Sequence, residues 1–309
     1  MIIVTGGAGF IGSNIVKELN VRNLENILVV DNLSNNLKKS NLRNLKYSNY
    51  EDKNSFIENL SNHEGIRAIF HQGACSSTIE KDGFYMMKNN YEYSKRLLDF
   101  SIENEIPFIY ASSASVYGNG AHGFTENKNC ENPLNIYAYS KFAFDRYVSK
   151  FLTSAKSQIV GLRYFNVYGP GEGHKGRMSS VALHLFNELK NKSSMTLYEG
   201  SKNFFRDFIY IDDVVKVNMF FFDNGKSGIF NCGTGREQSF YEIAENLKRL
   251  NNAGDIKFTS FPNELKEKYQ TFTKSDNKLL LSAGYNDSFD NLDVGLKKYF
   301  KILNTMDRA

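Results

Sequence analysis

Short apolar runs alternate with longer amphipathic segments along most of the chain. Each apolar run has the length of a buried strand, and each amphipathic segment has the apolar spacing of one helix face. Strands are predicted at residues 1–4, 27–31, 68–70, 107–111 and 158–163, with a weakly marked one around Leu45. Helices are predicted at residues 10–19, 52–62, 85–104, 137–152, 179–191 and 239–250. This alternation predicts an α/β protein with a Rossmann-like, doubly wound parallel sheet.

The order of these elements divides the chain into two predicted units. Residues 1–165 and about 207–232 are predicted to form a dinucleotide-binding Rossmann domain. About 166–206 and 233–309 are predicted to form a smaller mixed α/β lobe that binds substrate. Ligands are expected at the carboxyl ends of the parallel strands.

Four glycines follow the first predicted strand and open the first predicted helix. Gly6, Gly7, Gly9 and Gly12 predict a tight turn, because glycine lets the backbone approach a pyrophosphate and the helix approach the strand. The N–H groups and the dipole of the helix start favour a dianionic ligand. Asp31 ends the second apolar run, where a dinucleotide fold places the acid that binds ribose. The sequence therefore predicts a dinucleotide site.

The polar stretch 32–49 leaves the choice between NADP and NAD open. Its basic residues, among them Lys38, Lys39 and Arg43, form either a solvated face or a site that neutralises a 2′-phosphate, which would mean NADP. Asp31 argues for NAD, because a carboxylate suits a free 2′-hydroxyl and repels a phosphate.

The bulk composition limits the classes of function. The chain is 41% hydrophobic and 23% charged, as is typical of a globular protein, and no apolar run approaches a membrane span. The net charge of +4 is spread along the chain, so no nucleic-acid partner is predicted. Cys75, Cys130 and Cys232 are too few and too scattered for a disulfide framework or a metal site. Reduced cysteines and a first strand at the N-terminus predict a cytoplasmic protein with no signal peptide.

A tyrosine and a lysine four residues apart begin the helix predicted at residues 137–152. Tyr137 and Lys141 lie on one helix face, and Ser112 and Ser113 follow the strand before it. An ammonium group near a phenol lowers the pKa of the phenol from about 10 toward neutrality. A phenolate takes a proton from a sugar hydroxyl while the same carbon gives hydride to nicotinamide, and a serine hydroxyl supports the reacting oxygen. The pattern predicts oxidation of a sugar hydroxyl.

Two later segments carry further candidates. Residues 171–176 include three glycines and predict an irregular, mobile loop with His174 and Lys175 at its tip. These two side chains either face solvent or face substrate, and loop position alone favours solvent. Arg206 enters a predicted strand beside small turn residues, which suits either a diphosphate clamp or a surface salt bridge.

Together, the glycine turn, the serine pair, the Tyr-x-x-x-Lys motif and the string at 163–170 resemble the extended short-chain dehydrogenases/reductases of the nucleotide-sugar epimerase group. Within that group the chain resembles the ADP-glyceromanno-heptose 6-epimerase family along essentially its whole length. The strings that carry this narrower resemblance are residues 72–77, 85–91, 163–184, 198–201, 206–208 and 269–273. Two residues depart from the family pattern: Arg177 stands where relatives often have a small residue that touches substrate, and Gln72 replaces a frequent glutamate.

The resemblance implies an enzyme that binds NADP tightly and inverts C6″ of an ADP-heptose used in the lipopolysaccharide inner core. It implies a homo-oligomer, a homopentamer in the family, and assigns acid/base roles to Tyr137 and Lys175, with Lys141 and Ser113 beside them. The predicted cofactor-binding residues are Gly6, Gly9, Phe10, Ile11, Gly12, Asp31, Asn32, Lys38, Lys53, Gln72, Gly73, Ala74, Cys75, Ser76, Asn89, Lys141, Val167 and Lys175. The predicted substrate-binding residues are Ser113, Asn166, Arg177, His184, Tyr198, Glu199, Gly200, Ser201, Arg206 and Tyr269. No metal site is predicted.

Two acid/base residues suit an epimerisation. Removal of hydride from C6″ leaves a planar ketone, and only return of hydride to the other face inverts the centre. Tyr137 and Lys175 lie on different segments, so they could protonate the oxygen from two sides, with the exocyclic carbon rotating between them.

Three alternatives remain. A 4,6-dehydratase would need an acidic pair near the serine strand end, where Ala114 and Ser115 stand. A C4 epimerase of a UDP-sugar shares the core machinery, and only the narrow strings disfavour it. A non-catalytic dinucleotide sensor would not need Ser113, Tyr137 and Lys141 together.

Overall fold

The computed structural model describes residues 1–32, 36–262 and 270–306, and the strands of this part of the chain form three sheets. The strands are β1 (Ile2–Thr5), β2 (Ile27–Asp31), β3 (Asn49–Asp52), β4 (Ala68–His71), β5 (Phe108–Ser113), β6 (Ile159–Tyr164), β7 (Asn166–Tyr168), β8 (Ser194–Tyr198), β9 (Phe205–Tyr210), β10 (Gly228–Cys232), β11 (Glu237–Ser239) and β12 (Asp255–Thr259). A seven-stranded parallel sheet has the order β10-β6-β5-β4-β1-β2-β3. The smaller sheets are β11-β9-β7 and β12-β8. The predicted doubly wound α/β fold is confirmed.

Some helices cover both faces of the large sheet, and others pack on the smaller sheets. They are α1 (Phe10–Val21), α2 (Asn36–Ser40), α3 (Lys53–Glu58), α4 (Gly83–Met86), α5 (Tyr93–Glu103), α6 (Ile136–Val148), α7 (Val181–Lys192), α8 (Ile211–Asn224), α9 (Phe240–Asn251), α10 (Lys278–Ser282) and α11 (Leu292–Met306). A π-helical segment, Met87–Glu92, joins α4 to α5, so the long helix predicted at 85–104 exists with a widened middle. None of the helices in the described part of the chain is long and apolar enough to cross a membrane.

The central strands read as continuous apolar runs because both of their faces are covered. Alternate residues of β1 belong to different cores: Ile2 and Val4 pack with residues of α1 and α8, whereas Ile3 packs with residues of α5 and α6. The carboxyl ends of these strands meet at one edge of the sheet, which fixes the place of the site.

The strand predicted around Leu45 is wrong. Leu45 follows a turn, and the third strand is β3, at the edge of the sheet. The residues of β3 are exposed or only partly buried, so no apolar run marks it. Its last residue, Asp52, instead caps α3 by accepting a hydrogen bond from Asn54 N at 2.9 Å.

The division of the chain into two domains stays a prediction. The large sheet uses strands from both predicted segments of the Rossmann domain, β1–β6 and β10. Strand β9 pairs with β7 and β11 in the small sheet, and α8, which follows it, packs against α1. The chain therefore passes between the two units more than once.

Candidate active site

A cleft of about 310 Å³ lies at the carboxyl ends of β1, β2, β4, β5 and β6. Every residue predicted to bind cofactor lines it, and so do the predicted catalytic residues Tyr137, Lys141, Ser113 and Lys175. The structure thus brings together side chains from segments far apart in the chain. Their individual roles stay predictions.

Glycines shape the floor of the cleft. Gly6 has a φ of +65°, and a Cβ on it would lie 2.6 Å from the backbone nitrogen of Gly73. A Cβ on Gly12 would lie 2.2 Å from the carbonyl oxygen of Gly6. Within the described residues, no side chain caps α1 at Gly9, so the N–H groups of its first turn remain available to an anionic ligand.

One end of the cleft holds a carboxylate that is paired with a lysine. Asp31 accepts hydrogen bonds from Ala8 N at 3.0 Å and Asn32 N at 2.7 Å, and it forms an ion pair with Lys38. A second lysine, Lys53, donates to the side chain of Asn89 at 2.5 Å. Burial is the main cause that lowers the pKa of Lys53. Two cations therefore stand beside the carboxylate predicted to bind ribose.

The predicted catalytic pair lies deeper in the cleft, where β5 ends and α6 begins. Asn135 caps α6 by accepting from Ala138 N at 2.8 Å, which places Tyr137 in the first turn of the helix. Ser113 Oγ accepts from Ser115 N at 3.2 Å and Ser115 Oγ at 2.9 Å. These bonds use both of its lone pairs and leave its own proton to donate.

The predicted lowering of the pKa of Tyr137 toward neutrality is wrong for the protein alone. Burial raises the pKa of the phenol above its ordinary value of 10, and a hydrogen bond with Ser113 only partly opposes this. Lys141 Nζ donates to the carbonyl oxygen of Ala111 at 2.7 Å, and it is not among the causes that shift Tyr137. The spacing of Tyr137 and Lys141 in the sequence predicts that they share a helix face. It does not predict that the Ala111 carbonyl accepts the hydrogen bond of Lys141.

Lys141 predicts a pH-dependent stability. It is 5% exposed, and burial lowers its pKa from the ordinary 10.5 to about 8. The unfolded chain therefore binds more protons between these two pH values, so stability rises with pH across that window. We expect the free energy of unfolding, relative to Lys141→Met, to increase by about 2 kcal/mol from pH 7 to pH 10. Denaturant titrations measure it, with the exposed Lys150→Met as control; an unchanged difference would show that Lys141 titrates normally.

The loop that carries Lys175 is not irregular. Residues Gly173–Met178 form 3₁₀ turns with a break at Gly176, where φ is +54°. Lys175 is half-buried rather than exposed, and its Nζ lies 5.5 Å from the centre of the Phe10 ring. Burial lowers its pKa, and the negative charge of Glu172 partly opposes this. The expectation of solvent exposure from loop position is wrong, because the loop folds back against the glycine turn.

Most of the predicted substrate residues lie outside the cleft. Ser113 lines it, whereas Asn166, Arg177, His184 and the turn 198–201 belong to β7, the Lys175 loop, α7 and the end of β8. Tyr269 falls outside the described residues. The structure places this group on the smaller sheets and the segments beside them, and their contact with substrate stays a prediction.

Arg206 is buried, and its side chain is bonded to backbone carbonyl groups. It is 6% exposed, it donates to the carbonyl oxygens of Phe205 at 2.9 Å and of Gln270, and its guanidinium lies 5.5 Å from the Phe240 ring centre. The sequence left two predictions for Arg206, a diphosphate clamp and a surface salt bridge. The surface position that the second one requires is wrong. Nearby, Ser201 Oγ is buried and has no hydrogen-bond partner within the described residues.

One site residue was missed, and another was left between two predictions. His174, predicted at the loop tip as either solvent-exposed or substrate-facing, lines the cleft and bonds through Nδ1 to the carbonyl oxygen of Gly171 at 3.0 Å. Asn90, in the π-helical segment, accepts from Cys75 N at 2.8 Å and donates to Cys75 O at 2.9 Å. It fixes a stretch of the cleft wall. The asparagine pair at 89–90 in an otherwise amphipathic helix is the signal that could have found it.

Comparison with known proteins agrees with this geometry. The family model described as "NAD dependent epimerase/dehydratase family" matches residues 2–233. The chain belongs to this family. The family is described as NAD dependent, so the chain uses a nicotinamide dinucleotide as cofactor.

Individual relatives narrow the family. This epimerase/dehydratase is 56% identical over 310 residues to the ADP-L-glycero-D-manno-heptose-6-epimerase of Brachyspira hyodysenteriae, covering 98% of each chain. The Helicobacter pylori ADP-L-glycero-D-manno-heptose-6-epimerase structure is 31% identical, with a TM-score of 0.88 over 98% of this chain and 96% of that one. A UDP-glucose 4-epimerase from Thermotoga maritima is 26% identical, with a TM-score of 0.83 over 99% of each. The predicted resemblance to nucleotide-sugar epimerases is confirmed.

The residues of this family member fit a nicotinamide dinucleotide. Gly6 and Gly12 leave room that a side chain would fill, and the start of α1 faces that room with N–H groups. Gln72 Oε1 accepts from the Tyr164 hydroxyl at 3.1 Å, while its Nε2 is buried without a partner in the described part of the chain. A buried donor without a partner is costly, so a bound ligand that accepts from it would satisfy the site.

Proposed function

We propose that this chain inverts C6″ of ADP-D-glycero-β-D-manno-heptose to give ADP-L-glycero-β-D-manno-heptose, by transient oxidation to a ketone and return of hydride. The identity of 56% over 98% of both chains to an enzyme of that name carries the proposal. Support comes from one cleft that is lined by Tyr137, Lys141, Ser113 and Lys175. We also propose that the product supplies heptose to the lipopolysaccharide inner core, and that the enzyme is a cytoplasmic homo-oligomer.

The protein residues divide the work between the two faces of C6″. A nicotinamide dinucleotide held by the residues that line the cleft would supply the group that takes hydride from C6″ and gives it back. Ser113 donates a hydrogen bond to the reacting oxygen while Tyr137 takes its proton. The ammonium of Lys141 stabilises negative charge at the phenol as the proton moves. After the exocyclic carbon rotates, Lys175 protonates the oxygen from the other side.

We propose NADP as the cofactor. Lys38 neutralises Asp31, which removes the repulsion that a lone carboxylate would exert on a 2′-phosphate, and Lys53 adds a second cation nearby. Arginine or lysine beside the ribose is the usual means by which a dinucleotide fold accepts NADP.

We expect the purified protein to carry a nicotinamide cofactor that was not supplied to it. An epimerase regenerates its oxidised cofactor in each cycle, so release serves no step. We expect NADP to bind more tightly than NAD, and Lys38→Ala to reduce that preference by about 10-fold, the worth of one charge-assisted contact. Cofactor extraction and calorimetry measure both, with the exposed Lys39→Ala as control. Tighter binding of NAD would remove the phosphate role of Lys38 and Lys53 without removing the epimerase.

The activity is tested by incubating the protein with ADP-D-glycero-β-D-manno-heptose and following the configuration of C6″ by NMR. We expect an equilibrium mixture of both epimers. Parallel samples contain UDP-glucose and UDP-N-acetylglucosamine. Inversion at C4 of a UDP-sugar would favour a C4 epimerase, loss of water would favour a dehydratase, and cofactor binding without turnover of any sugar would favour a sensor.

A further inference from the structure

A buried carboxylate lies inside the loop that carries Lys175. Glu172 is 0% exposed and stands three residues before the lysine. Its role is not explained by cofactor binding, because it does not line the cleft within the described residues. A buried carboxylate is costly unless it is hydrogen-bonded, so its partners indicate what it does.

The carboxylate joins both ends of that loop. Glu172 Oε1 accepts from Gly169 N at 3.1 Å, at the start of the loop, and from Ser180 Oγ at 2.7 Å, at its end. Its Oε2 accepts from Ser180 N at 2.5 Å. The backbone oxygen of Glu172 also accepts from Lys175 N at 2.9 Å. These bonds close residues 169–180 into a loop of fixed width.

A fourth side-chain bond links this loop to a distant element. The hydroxyl of Tyr299, on α11, donates to Glu172 Oε1 at 3.1 Å. Helix α11 packs against α9 and β9, so the anchor is part of the smaller unit. The carboxylate therefore links the Lys175 loop to helix α11.

The opposite side of the loop contacts the dinucleotide half. Asn14, on α1, donates to Pro170 O at 2.9 Å, and Asn41 donates to Gly171 O at 2.9 Å. Lys175 then lies against Phe10, in the first turn of α1. The loop is fixed between α11 on one side and the glycine turn on the other.

We propose that Glu172 is a positioning residue for Lys175, which holds the loop closed from behind so that the lysine reaches the cleft on the side opposite Tyr137. This inference rests on the proposed function, because it gives Lys175 a catalytic task. The same negative charge opposes the effect of burial on the Lys175 ammonium and so favours the protonated form that donates a proton.

Three variants test this role. Glu172→Gln keeps the shape and removes the charge and part of the acceptor set. Tyr299→Phe removes only the hydroxyl that anchors Glu172, so it tests the proposal even if the first variant folds poorly. Tyr285→Phe is the matched control, since its hydroxyl is buried and has no hydrogen-bond partner within the described residues.

The readout is the face of a carbonyl to which hydride is delivered. Each enzyme, loaded with reduced cofactor that is deuterated at C4, converts the C6″ aldehyde analogue of the ADP-sugar in one turnover. NMR of the deuterated alcohol gives the rate at each face. Tyr137→Phe and Lys175→Met define which face depends on which residue.

We expect Glu172→Gln to slow the Lys175-dependent face by about 10–100-fold, the usual effect of misplacing a catalytic group by about 1 Å. The Tyr137-dependent face should stay within about 3-fold. Tyr299→Phe should slow the same face by about 3–10-fold, and Tyr285→Phe should change neither face. A purely structural role would slow both faces equally.

Three results would overturn the inference. In the first, Lys175→Met has a defect at one face, and Glu172→Gln and Tyr299→Phe either lack that defect or slow reduction at both faces equally. Glu172 then does not position the lysine, while the proposed epimerase stands. If Lys175→Met has no facial defect although the wild type epimerises, Glu172 has no catalytic lysine to position. If the wild type does not epimerise the ADP-heptose at all, the proposed function has failed first, and the inference falls with it.

Discussion

We expect the turnover number of the Tyr137→Phe enzyme to fall by about 10²–10⁴-fold while cofactor remains bound, because the lost phenol is the proposed proton acceptor. The phenylalanine ring keeps the packing at the start of α6, so stability should change little. Burial raises the pKa of this phenol in the protein alone, so the proposed role requires the positive charge of a bound oxidised nicotinamide to favour the phenolate. Steady-state epimerisation assays and cofactor extraction measure the two quantities.

Tyr139→Phe is the control for this variant. Tyr139 lies on the same helix two residues later and is 52% exposed, so its change should leave turnover unaffected. A Tyr137→Phe enzyme whose turnover stays within a few-fold of the wild type would remove Tyr137 from the mechanism.

The second large effect is expected from Lys175→Met. Loss of the proposed second acid/base group should lower turnover by about 10²–10⁴-fold. The free energy of unfolding should change by less than about 1 kcal/mol, because the lysine is only half-buried and no ion pair is broken within the described residues. Turnover assays and denaturant titration measure the two effects, and Lys192→Met, an exposed lysine of α7, is the control.

A surface role for Lys175 would give a different pattern. A solvated charge changes apparent substrate affinity slightly, in a salt-dependent way, and leaves turnover intact. That pattern, or normal epimerisation by Lys175→Met, would leave Tyr137 to serve both half-reactions.

The cofactor half of the site could be predicted because its signals are local. The glycine turn lies between a buried strand and an amphipathic helix, and Asp31 ends the next strand, so the parallel sheet brings them together. The same logic places Ser113 and Tyr137 at neighbouring positions, since one ends β5 and the other begins α6. In each case a short stretch of sequence fixes both the element and its end.

The rest depends on contacts between distant residues. The half-exposed edge strand β3 has no apolar run, so periodicity does not mark it. The inward position of Lys175 depends on Asn14, Asn41 and Glu172, none of which has a local pattern that indicates this role. The pKa of Tyr137 depends on how deeply the fold buries it, which residue spacing does not give.

The central claim is that C6″ is inverted by removal and return of its own hydrogen as hydride. The most direct test uses ADP-D-glycero-β-D-manno-heptose that carries deuterium at C6″, incubated with the purified enzyme in ordinary water. We predict that the L-glycero product keeps its deuterium, because the label passes to the bound cofactor and back without meeting solvent. Inverted product that has lost the label to water, or labelled substrate that is never inverted, would contradict the account.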